Sequence, residues 1–429
     1  MAFILLFVWG VVMLLLARWV CGNWLNHLSL YTFVWTLSLE AHELHWIRYN
    51  SISTEAWLYI FLAWAAIYLG TAAVMYRGER PVPAPSRDSL RRLKLVIVIF
   101  SLSGLASCLV LARQVTAEVD PNLFIALTVG APKIYAAGLE ETGNLVGIPY
   151  VAFLPYAACA LAGVYSARRG RIEWVSTLPL IVVAIAAILS VSRWGVMLAT
   201  ALFLLSLYAT PKTRPFSLTF AQKAGLVTGC VACFGLVSIA RTDLSGEFAE
   251  QSKALQSIST WVPPAPSFYF YVSAPPVGLS EYLREPSREG NLHWGRYTFA
   301  SVYRFFSKLG FGNYVPFHQE FFSTPEPINT CTYLREVHSD FGVIGVFVFP
   351  FLLGGLAGWL SISKSSLVRV VLLAHIYVIV LFSFTYLVVI TGQFFQSLVV
   401  SVIAATFIGR QSRHSPAKWL VRAVARTAA

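Results

Sequence analysis

Between Asn329 and Gly345 the chain reads NTCTYLREVHSDFGVIG, which sets Tyr333, Arg335, Glu336, His338 and Asp340 just before a long apolar run. Histidine titrates near ~6.5, so His338 suits a general base acting on a hydroxyl, with Asp340 or Glu336 orienting it or taking that part. The plainer reading of these residues is a helix N-terminal turn in which an acid caps exposed amides. A second position of interest is Arg193, in Ser192-Arg193-Trp194-Gly195 at the turn between two apolar runs, where a permanent cation faces a solvation cost. It reads either as an arginine snorkelling to headgroups or as a clamp for a lipid phosphate. Arg241, after Ser238-Ile239-Ala240, stands at the same expected depth. Arg296 and Arg304 lie in HWGRYTFASVYRFF, at a spacing that puts both on similar faces of a half-buried amphipathic helix. Together these four arginines have the planar forks that fit a diphosphate, although each is as easily an ordinary solvated arginine. Metal chemistry has little support. His293, His318, Glu320 and His338 in one segment, and Glu40, His42, Glu43 and His45 in another, lack H-E-x-x-H or a comparable spacing. No metal or other cofactor is expected.

The elements that must position these groups are set by lipid. Of 429 residues 57% are hydrophobic and 12% charged, and the mean hydropathy of +0.66 exceeds what a soluble domain tolerates. Unalternated apolar runs of about 17–22 residues imply helices, because backbone polar groups cannot sit unpaired in hydrocarbon. About eleven spans are expected, near 1–17, 24–40, 57–76, 93–112, 148–167, 173–191, 194–209, 221–240, 341–361, 367–388 and 391–409. The result is an all-α polytopic membrane protein. Its net charge of +12 gathers in short gaps, around Arg77–Lys94, Arg168–Arg171, Lys212–Lys223 and Lys364–Arg369, and in the tail 410–429. By the excess of Lys and Arg in cytoplasmic loops, these face the cytoplasm, which puts the N-terminus outside and the C-terminus inside.

The chain then divides into a bundle of about eight spans (1–240), a large external loop (241–340), closing spans (341–409) and a basic tail. The loop balances its arginines with acids, so nucleic acid is not a partner. Its stretch Trp261–Pro276 is proline-broken and aromatic, and irregular or re-entrant backbone is expected there. A shorter external segment, 113–147, holds Glu140 and Glu141 and reads as a short interfacial helix and a turn. The first run, 1–17, lacks a basic start and a cleavage site and reads as an anchor. The six cysteines fall in or beside apolar runs, and Cys230 and Cys233 read as buried thiols. No internal repeat suggests inverted halves.

Leu189–Gly195 (LSVSRWG) and Thr330–Gly345 resemble the "SR" hairpin and the "T-x-L…DfG-x-x-G" approach to a late span found in Wzy-type oligosaccharide repeat-unit polymerases, relatives of the O-antigen ligases. The order of parts is similar too, over roughly residues 148–405. The resemblance implies a GT-C-like fold and a metal-independent glycosyltransferase in a bacterial inner membrane. Such an enzyme takes a glycan from undecaprenyl diphosphate and transfers it to the next lipid-linked repeat unit, extending O-antigen, capsule, common antigen or exopolysaccharide outside the membrane. It further implies diphosphate binding by Arg193, Arg241, Arg296 and Arg304, catalysis by His338, Asp340 or Glu336, and substrate contacts from Asn329, Tyr333 and Arg335. Membrane lipids and a chain-length-setting co-polymerase are the implied partners. In ligase-like relatives a histidine before a late span is the base, whereas in many polymerases the acid is the more regular feature. A ligase moving a finished glycan to lipid A core is the nearest rival reading. A polysaccharide flippase or exporter without covalent chemistry is a second, less suited to spans whose interiors are nearly uncharged.

Overall fold

A computed structural model of the chain describes residues 2–75, 87–118, 148, 150–190, 192–211, 251–262, 264–285, 292–311, 321–324, 327–362 and 366–413. In chain order the helices are α1 (Ala2–Cys21), α2 (His27–Glu43), α3 (Thr54–Met75), α4 (Arg87–Glu118), α5 (Leu154–Arg169), α6 (Trp174–Leu189) and α7 (Arg193–Ala209). There follow α8 (Lys253–Trp261), α9 (Ala265–Ser273), α10 (Pro275–Arg284), α11 (Ala300–Lys308), the two-residue strands β1 (Phe322–Ser323) and β2 (Pro327–Ile328), α12 (Thr332–Ile362), α13 (Leu367–Phe382) and α14 (Gly392–Arg413). Among the described residues five helices are long and apolar enough to cross a membrane: α1, α3, α4, α12 and α14. The apolar α6, α7 and α13 are shorter. The protein is thus a multi-pass, all-α membrane protein. Several expected spans begin or end differently, α5 starting at Leu154 instead of 148 and α13 ending at Phe382 instead of 388 among them. α4 runs to Glu118, past the span end expected near 112 and into the segment 113–147, and α12 already starts at Thr332 instead of 341. The expected span 221–240, Arg241, Cys230, Cys233, Glu140, Glu141, His318 and Glu320 lie outside the described residues.

The chain forms two compact units, each discontinuous in sequence. The first combines 1–79, 242–362 and 376–395. In it α3 and α12 pack with their backbones close together. A Cβ on Gly70 would strike the Phe351 carbonyl, and one on Gly354 the Ile67 carbonyl, so glycine here sets how near two helices come. Without a hydrophobic drive between apolar helices in lipid, such close van der Waals contact and hydrogen bonds hold them. Thr71 Oγ1 donates to the Ile67 or Gly354 carbonyl (2.8 and 3.2 Å) and lies 2.8 Å from His27 Nε2. Asn26 caps α2, accepting from the Ser29 amide at 2.8 Å.

Within the aromatic proline-rich stretch Trp261–Pro276, Ala265–Ser273 form α9 and Pro275 and Pro276 open α10, correcting the expected irregular backbone, and α8 ends at its first residue. The prolines sit where helices start: Pro264 at the N-cap of α9, Pro266 in its first turn, and Pro275 and Pro276 opening α10. A missing amide costs nothing there, since first-turn amides have no intrahelical partner. The link between α2 and α3 grips these pieces. Trp46 O accepts from the Ser252 amide at 2.8 Å, Tyr49 Oη lies 2.7 Å from Ser273 Oγ, and Ser280 Oγ accepts from the Ser53 amide at 2.8 Å.

The second unit combines 80–241, 363–375 and 396–429. α5 lies along α7, with Gly163 against the backbone of Phe203, and Gly104 of α4 faces Pro155. Cys108, Leu111, Val182 and Leu189 form a buried apolar cluster between α4 and α6. The α5–α6 turn is fastened by Glu173, which accepts from Arg169 Nη2 (2.8 Å), Arg171 Nε (3.0 Å) and Tyr165 Oη (2.8 Å).

Candidate functional site

α12 is two helical stretches in one. Gly342, at φ 63° and ψ −155°, interrupts it and separates the titratable stretch 332–341 from the apolar stretch 343–362. His338 lies half-buried on the first stretch. Its Nδ1 is 3.2 Å from Tyr282 Oη, which in turn is 2.7 Å from Ser339 Oγ. The Tyr59 ring lies against the imidazole at 5.4 Å between centroids, and Tyr282 meets it edge-on at 5.8 Å. Tyr59 Oη donates to Glu55 Oε1 at 2.7 Å. The start of α3, the C-terminal end of α10 and the polar stretch of α12 therefore meet around one imidazole.

The two acids beside His338 are occupied in different ways. Glu336 Oε1 accepts from Arg335 Nη2 at 2.6 Å and Nε at 3.2 Å, and both residues are buried, at 1% and 3% exposure. Arg335 Nη1 also donates to the Asn329 carbonyl at 3.2 Å. Glu336 Oε2 is buried with no hydrogen-bond partner among the described residues, an acceptor the ion pair leaves over. Asp340 is fully buried, and its carboxylate accepts from the backbone amides of Tyr297 (3.0 Å) and Thr298. It does cap amides, but those of a distant turn, from well inside its own helix. Of the three candidates for a base, His338 alone combines partial exposure with a ring nitrogen held by a hydroxyl.

The remaining expected residues scatter. Tyr333 is fully buried, with its Oη 3.3 Å from Tyr31 Oη, so it and Arg335 serve the interior, and Asn329 contributes a carbonyl. Arg296 and Arg304 are exposed, but not on one helix, which corrects that expectation. Trp294 and Gly295 take φ of 50° and 88°, and the Asp340 carboxylate holds the following amides in a turn, so α11 begins only at Ala300. Arg193 opens α7 in the second unit, 7% exposed. No three metal-ligating side chains gather among the described residues, and the His42 and His45 rings stand 5.9 Å apart.

Compared with known families, curated proteins and solved structures, the chain shows no match. The site's geometry must speak for itself.

Sequence reasoning missed Tyr282, Tyr59, Ser339 and Glu55. Tyr282 lies 56 positions from His338, and nothing in its neighbourhood marks it as a partner. Glu55 and Tyr59 do carry a signal, an i, i+4 acid–phenol pair in the first turns of an apolar helix, where polar side chains face a boundary. Chemically, the arrangement holds an imidazole with one nitrogen against a phenol. If Nδ1–H donates to Tyr282 Oη, the other nitrogen is the acceptor tautomer that a general base requires.

Proposed function

We propose that this protein is a glycosyltransferase of the oligosaccharide repeat-unit polymerase type, extending a glycan carried on undecaprenyl diphosphate at the outer face of a bacterial inner membrane. The observation that carries the reading is His338, oriented by Tyr282 and flanked by Tyr59, at the polar head of an apolar helix. A hydroxyl of the acceptor repeat unit gives its proton to the imidazole as its oxygen bonds to the donor's anomeric carbon. The bond from that carbon to the diphosphate breaks, and the carrier leaves with the electron pair. General-base help of this kind is worth about 10²–10⁴-fold. Tyr59 and Tyr282, both buried, hold the imidazole in place.

A diphosphate leaves as an anion, so fixed cations assist it more than a proton does. The reading takes Arg296 and Arg304, exposed in the first unit, as such cations. The reading also carries about eleven spans, an external N-terminus and a cytoplasmic C-terminus. The test is incubation of the purified protein with one lipid-linked repeat unit, without added metal, followed by separation on a gel. A ladder of extended glycans is expected. Unchanged single units would reject polymerisation.

A further inference from the structure

Residues 299–311 (FASVYRFFSKLGF) are an aromatic surface in search of a partner. Ala300 and Ser301 are buried, while Phe299, Tyr303, Phe305, Phe306, Leu309 and Phe311 are all exposed, Phe311 at 70%. Phe299, Tyr303 and Phe306 follow an i, i+4, i+7 pattern and share a face. Such a run of exposed aromatics is rarely left in water.

Two tethers fix where this surface sits. Ser301 Oγ donates to the Ile390 carbonyl at 2.8 Å, and Ile390 ends the short 3-10 turn (Val388–Ile390) that leads into the apolar α14. The Asp340 carboxylate holds the amides of Tyr297 and Thr298, and the Ser339 and Asp340 carbonyls accept from the His293 and Trp294 amides at 3.1 Å each. Asp340 stands just before Gly342, where the apolar stretch of α12 begins. Both tethers therefore lie where apolar helical stretches begin, after Gly342 in α12 and at Gly392 in α14. The charge is of one sign: residues 292–311 hold Arg296, Arg304 and Lys308 and no acid.

We propose that α11 lies in the plane of the membrane surface, with Tyr303, Phe306 and their aromatic neighbours sunk into the headgroup and upper acyl region and Arg296 and Arg304 on the phosphates of anionic lipids. Interfacial helices of this make-up bury their apolar face about 5–10 Å deep. The proposal shares Arg296 and Arg304 with the proposed diphosphate contacts, but its partner is the bilayer itself, and its test reads immersion whatever the outcome for glycan transfer.

The test reads immersion instead of chain extension. A nitroxide is placed at Phe306→Cys in a variant whose six native cysteines are replaced, and the full chain is reconstituted in bilayers of equal parts phosphatidylcholine and phosphatidylglycerol. Collisions with oxygen are expected to exceed those with a water-soluble nickel chelate several-fold, the reverse of a nitroxide on glutathione in water. Nickel collisions equal to that free label would overturn the proposal. Arg304→Gln should lessen immersion in the mixed bilayer and leave it unchanged in phosphatidylcholine alone; equal effects in both would overturn the role of anionic lipid. Should the cysteine-free variant not fold, the native chain in bilayers with a photoactivatable phospholipid gives the same answer. Adducts on the 299–311 peptide support the proposal, and their absence while α12 and α14 peptides are labelled rejects it.

Discussion

At the scale of single residues, the site separates three titratable side chains that stand within five positions of one another into three duties. Asp340 binds amides, Glu336 binds a guanidinium, and His338 faces a phenol. If His338 is the base, His338→Gln should lower the turnover of chain extension by about 10²–10⁴-fold while donor binding changes little, since a base acts in the transition state. Initial rates and donor affinity measured on the same preparation check this, and full turnover in the variant would remove His338 as the base. The Arg335–Glu336 pair is a structural matter. Removing one partner leaves a buried charge uncompensated, so Arg335→Ala should destabilise the fold by about 3–5 kcal/mol, seen as a lowered melting temperature in detergent. Replacing both by apolar residues of similar volume should restore much of the loss; no recovery would mean that the pair is more than an internal balance.

At the scale of elements, the decisive feature is the break in α12. Gly342 occupies a region of backbone space that is essentially open to glycine alone, and a Cβ there would meet only Leu292 at an ordinary 3.6 Å. Conformation, not space, therefore decides the outcome. Gly342→Ala should cost about 1–3 kcal/mol, or straighten the helix and carry His338 away from Tyr282. Melting temperature and chain extension measured together distinguish the two results. The α5–α6 turn offers a pH test. Burial raises the Glu173 pKa, but hydrogen bonds from Tyr165, Arg169 and Arg171 outweigh it and hold the carboxyl at about 2, below the ordinary 4.5. A carboxyl depressed in the folded state stabilises above its unfolded pKa and loses that contribution as pH falls through the folded value. Melting temperature should thus fall from pH 5 toward pH 2 more steeply in the native chain than in Glu173→Gln; parallel curves would remove Glu173 as a fastener.

At the scale of the whole molecule, the placement of basic gaps makes a topology prediction. A cysteine introduced at the exposed Gln256 should react with a membrane-impermeant maleimide from outside intact cells, while a fluorescent protein fused after Ala429 should glow in the cytoplasm. Labelling of Gln256→Cys only after lysis would invert the orientation. By itself the amino-acid sequence determined the class of protein, because the cost of unpaired backbone in hydrocarbon makes long apolar runs helical whatever their neighbours do. It also marked where titratable groups crowd, at 329–345. The duties within that crowd were decided only by tertiary structure. Whether an acid is a cap, an ion-pair partner or a base depends on which distant group approaches it, and Tyr297, Thr298 and Tyr282 come from segments whose spacing along the chain encodes no such meeting. The turn that keeps Arg296 off α11 was hidden for the same reason: a carboxylate more than forty residues away, not local propensity, holds it.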